Sequence, residues 1–311
     1  MCSLADTTDA VATMRALGDE LGLARAAYTL SDLAWLSGDL VASHAHAEEM
    51  LAYARRAGSD FDAATALVFM SWSLVEGPWP APEAIARCDE LIRHAERAGR
   101  LSLVGCRAVL MAMIGRYDEA RGEMELARAG FADLRLDLMA AYLALLVALA
   151  EMLAGDPVAD GALGRDAEAR VSGPGDRWYQ AMVNVDLAPT VIAQGRWADA
   201  AVVLERIEAM PAPCDVTWVI KRHTARAWVA MRAGDHAGAL AEARAGVVVA
   251  DPTSLLLVRA DSHRMLAEVL RATGRGEEAA SAAREALALD ERKGNLVAAA
   301  ATRRLLAELG G

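Results

Sequence analysis

The side chains best equipped for chemistry in this sequence are few and scattered. His44, His46, Glu48 and Glu49 form the one cluster of metal-like composition. On a helix His44 and Glu48 stand four residues apart and share a face, which suits two ligands of one ion. The two rings of a His-x-His step point in different directions, however, and no third ligand follows. The cluster therefore reads as the solvated face of a helix. His223, His236 and His263 fall one to a segment and read as isolated histidines. Asp186 lies between Val185 and Leu187, close to Pro189, in an otherwise apolar stretch. Two roles are open to it, an ion pair with a basic residue or a contact to a ligand. Neither a GxxxxGK phosphate loop ending in Ser or Thr nor a GxSxG elbow occurs. The sequence gives no reason to expect a catalytic residue, a bound metal or a cofactor.

The elements that position these residues are helices. Ala and Leu dominate the 311 residues, aromatic residues make up 5%, and the nine prolines fall almost entirely at segment junctions. Such a composition is rich in helix formers and poor in strand formers. A net charge of −11 argues against sequence-independent binding to nucleic acid or to an anionic membrane, both of which need a basic surface. Cys2, Cys88, Cys106 and Cys214 are far apart and read as buried, reduced thiols. The start of the chain lacks the basic and apolar regions of a signal peptide. The longest apolar run, from Leu138 to Leu149, is too short to span a bilayer. A cytoplasmic protein is expected. Lys221 and Lys293 are the only lysines among 32 basic residues, a bias that reads as the codon usage of a GC-rich bacterial genome.

A repeat emerges once the glycines are marked. Gly38, Gly77, Gly115, Gly155, Gly195, Gly234 and Gly274 are separated by 39, 38, 40, 40, 39 and 40 residues. Each follows an apolar helical stretch, where glycine ends a helix by taking the left-handed conformation at no steric cost. Alanine five residues later, at Ala120, Ala200, Ala239 and Ala279, permits close helix approach. The unit at Gly77 departs from the pattern with Pro78, Pro80 and Pro82, and Pro189 should kink or shorten the helix that contains it. Further breaks are expected at Gly173-Pro174-Gly175 and Pro211-Ala212-Pro213. The reading is an all-α fold, a right-handed superhelical solenoid of about seven antiparallel helix pairs. Residues 1–21 hold an unpaired or capping helix, 22–294 the pairs, and 295–311 a capping helix. An unpaired first helix suggests either a cap or a chain cut from a longer protein.

Gly115, Tyr117 and Ala120, and likewise Gly195, Trp197 and Ala200, resemble the centre of the tetratricopeptide motif. The period of about forty residues, longer than the usual unit, is similar to arrays in the C-terminal regions of MalT-like and LuxR-type activators and of bacterial cyclase–ATPase–TPR regulators. The resemblance implies a non-catalytic scaffold, the interaction or sensor module of a transcriptional or signalling regulator. In that motif the first helix of each unit lines a concave groove. Carried over, it places Arg25, Tyr28, Asp32 and Trp35 at one end of the groove and Val109, Ala112, Tyr142, Leu145, Leu149 and Met152 in its middle. Lys221, Thr224, Trp228, Met231, Asp261, Arg264, Glu268 and Arg271 follow at the other end. Tyr28, Asp32, Trp35, Tyr142, Asp186, Trp228 and Arg264 are the candidate contacts to a protein or peptide partner, which includes other domains of a longer chain. An apolar middle suits an amphipathic helix or an extended peptide, unless tight curvature closes it. A small-molecule effector enclosed near Tyr142 is the alternative, and an enzyme site the least favoured reading.

Overall fold

The computed structural model describes residues 4–136, 139–140, 143, 150–151, 153, 177–209 and 214–310. Gly155, the Gly173-Pro174-Gly175 and Pro211-Ala212-Pro213 breaks, and the candidate contacts Tyr142, Leu145, Leu149 and Met152 lie outside the described residues. Among the described residues the fold is all-helical, without strands. Its helices are α1 (Leu4–Leu17), α2 (Glu20–Leu36), α3 (Leu40–Ala57), α4 (Asp60–Glu76), α5 (Ala81–Ile92), α6 (Arg97–Met113) and α7 (Tyr117–Leu134) in the first part. In the second part they are α8 (Arg177–Ala193), α9 (Trp197–Ala209), α10 (Val216–Arg232), α11 (His236–Ala250), α12 (Leu256–Ala272), α13 (Gly276–Lys293) and α14 (Leu296–Glu308). None is long and apolar enough to cross a membrane.

Two ways of starting a helix recur in this sequence. A left-handed glycine followed by Asp, Ser or Asn ends one helix and caps the next. Gly38, Gly58, Gly234 and Gly294 have φ between 68° and 80°. Asp39, Ser59, Asp235 and Asn295 then accept the N–H three residues on. Where arginine follows the glycine, no side chain caps the helix at Arg116 or Arg275. There the arginine pairs with an acidic residue of the first helical turn, Arg116 with Glu119 at 2.7 Å and Arg275 with Glu278 at 2.7 Å. Arg196 and Asp199 repeat the arrangement at 2.6 Å. The carboxylate stands at the positive end of the helix dipole in each case. Ala120, Ala200, Ala239 and Ala279 are all buried, as their expected place in the helix crossings requires.

Gly77 departs from its counterparts. Its backbone is extended (φ −81°, ψ −172°), not left-handed, so α4 ends without the αL turn that the repeat leads one to expect. The helix containing Pro189 runs on through it, from Arg177 to Ala193. Cys88 and Cys106 are buried thiols, whereas Cys214 is exposed, against expectation.

Neighbouring helices pack in order, α2 on α3, α3 on α4, α6 on α7, α10 on α11, α12 on α13 and α13 on α14, while α4 also meets α6 and α10 also meets α12. Chain segments far apart in sequence then meet as well. The Ser254 hydroxyl donates to Gly38 O (3.0 Å) and accepts from Leu40 N (2.7 Å), and Ser254 N donates to Gly38 O (2.9 Å). Leu40 is buried among Ile220, Ala250, Leu255 and Val258. Lys293 Nζ donates to the carbonyls of Leu74 (2.7 Å), Gly77 (3.1 Å) and Trp79 (2.8 Å). Two unrelated turns are thus joined at almost one sequence separation, 214 to 219 residues. Helices α12 and α14 touch α4 and α6 along the same seam. The odd geometry at Gly77 has its reason here. The last turn of α4 and the loop after it present three carbonyls to one side, and the Lys293 ammonium takes all three.

Candidate functional site

Two groups of side chains stand out, and each contains residues singled out from the sequence. The first is a row of rings on α2 and α4. Tyr28, Asp32 and Trp35 recur at i, i+4 and i+7 and so share one face of α2. Phe69 of α4 sits between the two rings, 5.7 Å from Tyr28 and 5.9 Å from Trp35, with interplanar angles of 79° and 81°. These are edge-to-face contacts of the favoured kind. Tyr28 is exposed, and Asp32, Trp35 and Phe69 are half-buried. No hydrogen bond or ion pair joins Asp32 to another described side chain. Burial holds its carboxyl above the usual carboxylate range. Burial, and then the Asp32 charge, raise the Tyr28 hydroxyl.

The second group is a partly buried ionic network. Asp186 accepts from Lys221 Nζ at 2.6 Å, and Glu76 Oε1 lies 3.9 Å from the same nitrogen. Asp215, 1% exposed, caps α10 through the N–H groups of Thr217 (2.8 Å) and Trp218 (3.3 Å). One oxygen each of Glu76 and Asp215 is buried without a hydrogen bond. Burial raises the Glu76 carboxyl and Lys221 opposes this. Burial would lower the Lys221 ammonium, but Asp186, Glu76 and Asp215 outweigh it and the net direction is upward. Lys293 lies in the same interior, 1% exposed, and burial pulls its ammonium down to about 7 while Glu76 opposes.

The two irregular points of the repeat therefore meet. Glu76 precedes the aberrant Gly77, Asp186 precedes Pro189, and Lys221 pairs with both carboxylates. The sequence signal for this network was the scarcity of lysine. Lys293 is buried and meets three carbonyls with a compact ammonium, where a planar guanidinium suits less well, and the half-buried Lys221 reaches carboxylates from two helices. Codon bias explains the abundance of arginine and overlooks these two sites.

The remaining candidates are placed differently. Arg264 is held by Asp290 (2.7 Å) and Thr302 (3.2 Å) and pairs with Asp261, so its donors are occupied within the chain. Trp228 is half-buried between two apolar clusters. Val109 and Ala112, expected in an apolar groove, are 0% exposed in the main core and line no surface. At these two positions the expected groove is filled by the core itself.

His44 belongs to a different constellation from the metal cluster that its sequence suggested. Its Nδ1 is 2.6 Å from Ser73 Oγ and its Nε2 is 3.7 Å from Glu48. These are the residue types of an acyl-transfer triad. Ser73, however, is 0% exposed and donates to Met70 O at 2.8 Å, and the Trp79 ring lies 4.7 Å from the imidazole. Burial lowers the His44 ring, which favours the neutral form. The trio is a packed polar contact. His223 meets Glu242 at 2.6 Å and His263 meets Asp251 at 2.8 Å. No group of three or more His, Cys, Asp or Glu able to hold a metal occurs among the described residues. A depression of about 280 Å³ between α3 and α5 is lined by Arg87 and Arg55, the first paired with Glu48 and Glu90 and the second with His94 O.

No protein-family model matches the chain, and no curated protein matches it in sequence.

Proposed function

We propose that the protein is a non-catalytic binding scaffold, a right-handed tetratricopeptide-like solenoid that holds a peptide segment of a protein partner on its inner face. A separation of 216 residues between joined turns, divided by a period of about forty, gives a superhelix of about five and a half units per turn. The half-integer matches the seam, in which a turn inside one helix pair meets a turn between two pairs. On this reading the second superhelical turn seats on the first, which leaves less open groove than a looser array has. What carries the reading is the row of Tyr28, Asp32, Trp35 and Phe69. Aromatic area and an unpaired carboxylate are kept at the surface where other inward positions are filled by the chain itself. The resemblance to bacterial regulators supports a role as their interaction or sensor module.

The test is selection of random dodecapeptides on the immobilised full chain, followed by titration of the selected peptides. Micromolar binding that Tyr28→Ala weakens at least fivefold is expected. Failure to recover any binding peptide would remove the reading.

A further inference from the structure

We infer that the aromatic row is a receptacle for a cationic side chain, a guanidinium in first place, presented by the bound peptide. The inference rests on the peptide-binding reading above and specifies what is recognised. Three rings, Tyr28, Phe69 and Trp35, follow one another edge to face, and Asp32, one helical turn after Tyr28 on the same face of α2, is close enough for its charge to act on the Tyr28 hydroxyl. The face of an aromatic ring attracts cations, best when they are partly desolvated. A carboxylate beside such rings supplies the counter-charge, and a planar guanidinium can stack on a ring while its edge donates to both carboxylate oxygens. Asp32 is suited to this because nothing among the described side chains already neutralises it. Three other carboxylates of the chain make the contrast. Asp186 has Lys221, Asp290 has Arg264, and Asp251 has His263. A half-buried carboxylate without a counter-ion bears a desolvation cost that an incoming cation relieves. The net charge of −11 adds a long-range attraction for a basic segment.

The site would reject an acidic side chain on Asp32 and would gain little from an aliphatic one, which leaves the carboxylate unpaired. A guanidinium is preferred over an ammonium because only the former presents a flat face to the ring and a two-pronged edge to Asp32.

The experiment uses the full chain and the dodecapeptides selected on it. Most of the selected peptides should share an arginine, and replacing it by citrulline, which keeps the shape and removes the charge, should weaken binding about tenfold. Asp32→Asn should weaken the arginine peptide by a similar factor and leave the citrulline peptide unchanged. Unaltered thermal unfolding would show that the variant is folded. The citrulline exchange needs no change to the protein and stands if that variant fails to fold. Selected peptides that lack a cation, or that tolerate citrulline, would overturn the inference while the peptide-binding reading survives. Recovery of no peptide would remove both. Binding of Nα-acetylarginine amide as tightly as the selected peptides would replace the peptide by a free small cation, and so would also overturn it.

Discussion

Lys293 and Glu76 are titratable groups inside a protein, and each ties stability to pH with its own sign. The Lys293 ammonium ordinarily titrates near 10.5 and is pulled down to about 7 in the folded chain. Between those values the unfolded chain binds a proton that the folded chain does not, so this group makes stability rise with pH from about 7 to about 10.5. Glu76 is shifted upward from 4.5, so from there to its higher folded value the folded chain holds the extra proton and stability falls as pH rises. Urea midpoints measured from pH 5 to 10 should show both slopes. Lys293→Met should flatten the alkaline slope, and Glu76→Gln the acidic one. Lys293→Met should also cost about 2–4 kcal/mol at pH 7, because the carbonyls of Leu74, Gly77 and Trp79 lose their donor. A loss below 0.5 kcal/mol, which is about the level of a typical surface substitution, would mean that water replaces the ammonium there.

At the scale of elements, two glycines of the same conformation separate the cost of a turn from the cost of a seam. Gly38 and Gly234 end α2 and α10 at φ 79° and 80°. A Cβ on Gly38 would lie 2.8 Å from Val216 Cγ1 and 2.9 Å from Thr253 Cγ2, whereas one on Gly234 meets nothing within 4 Å. Both Gly→Ala variants bear the left-handed strain of about 1–2 kcal/mol. Gly38→Ala should lose a further 1–3 kcal/mol or so through overpacking. Equal losses in chemical denaturation would mean that the seam yields freely. These elements were largely legible in the sequence, because glycine, an N-capping residue and an apolar face are local instructions read one helix at a time. Gly77 shows the limit of such reading. Its three neighbouring prolines announced an exception, but the partner that explains it, Lys293, is 216 residues away. Lys293 carries no local mark apart from the rarity of its residue type.

At the scale of the molecule, an open array of repeats unfolds by fraying, since each unit touches only its neighbours. The contacts of Ser254 with Gly38 and of Lys293 with the loop after α4 bind late units to early ones. Hydrogen exchange should therefore report similar opening free energies for α2–α4 and α12–α14. In Lys293→Met those values should separate by more than 1 kcal/mol, and values already different in the unaltered chain would mean that the seam does not couple the ends. The candidate site divides the same way. Tyr28, Asp32 and Trp35 were readable as one helix face, but Phe69, which completes the row, comes from the next helix pair and left no spacing to follow. An ion pair was one of the two roles open to Asp186 from sequence, but nothing local shows that its partner is Lys221 or that Asp290 holds Arg264. The seam also acts as a ruler for the gene. Duplicating or deleting one forty-residue unit between Gly77 and Lys293 would carry the ammonium a whole unit past its three carbonyls and Ser254 past Gly38. On the solenoid reading proposed above, a change in the number of units between the joined turns would therefore come at the cost of the seam.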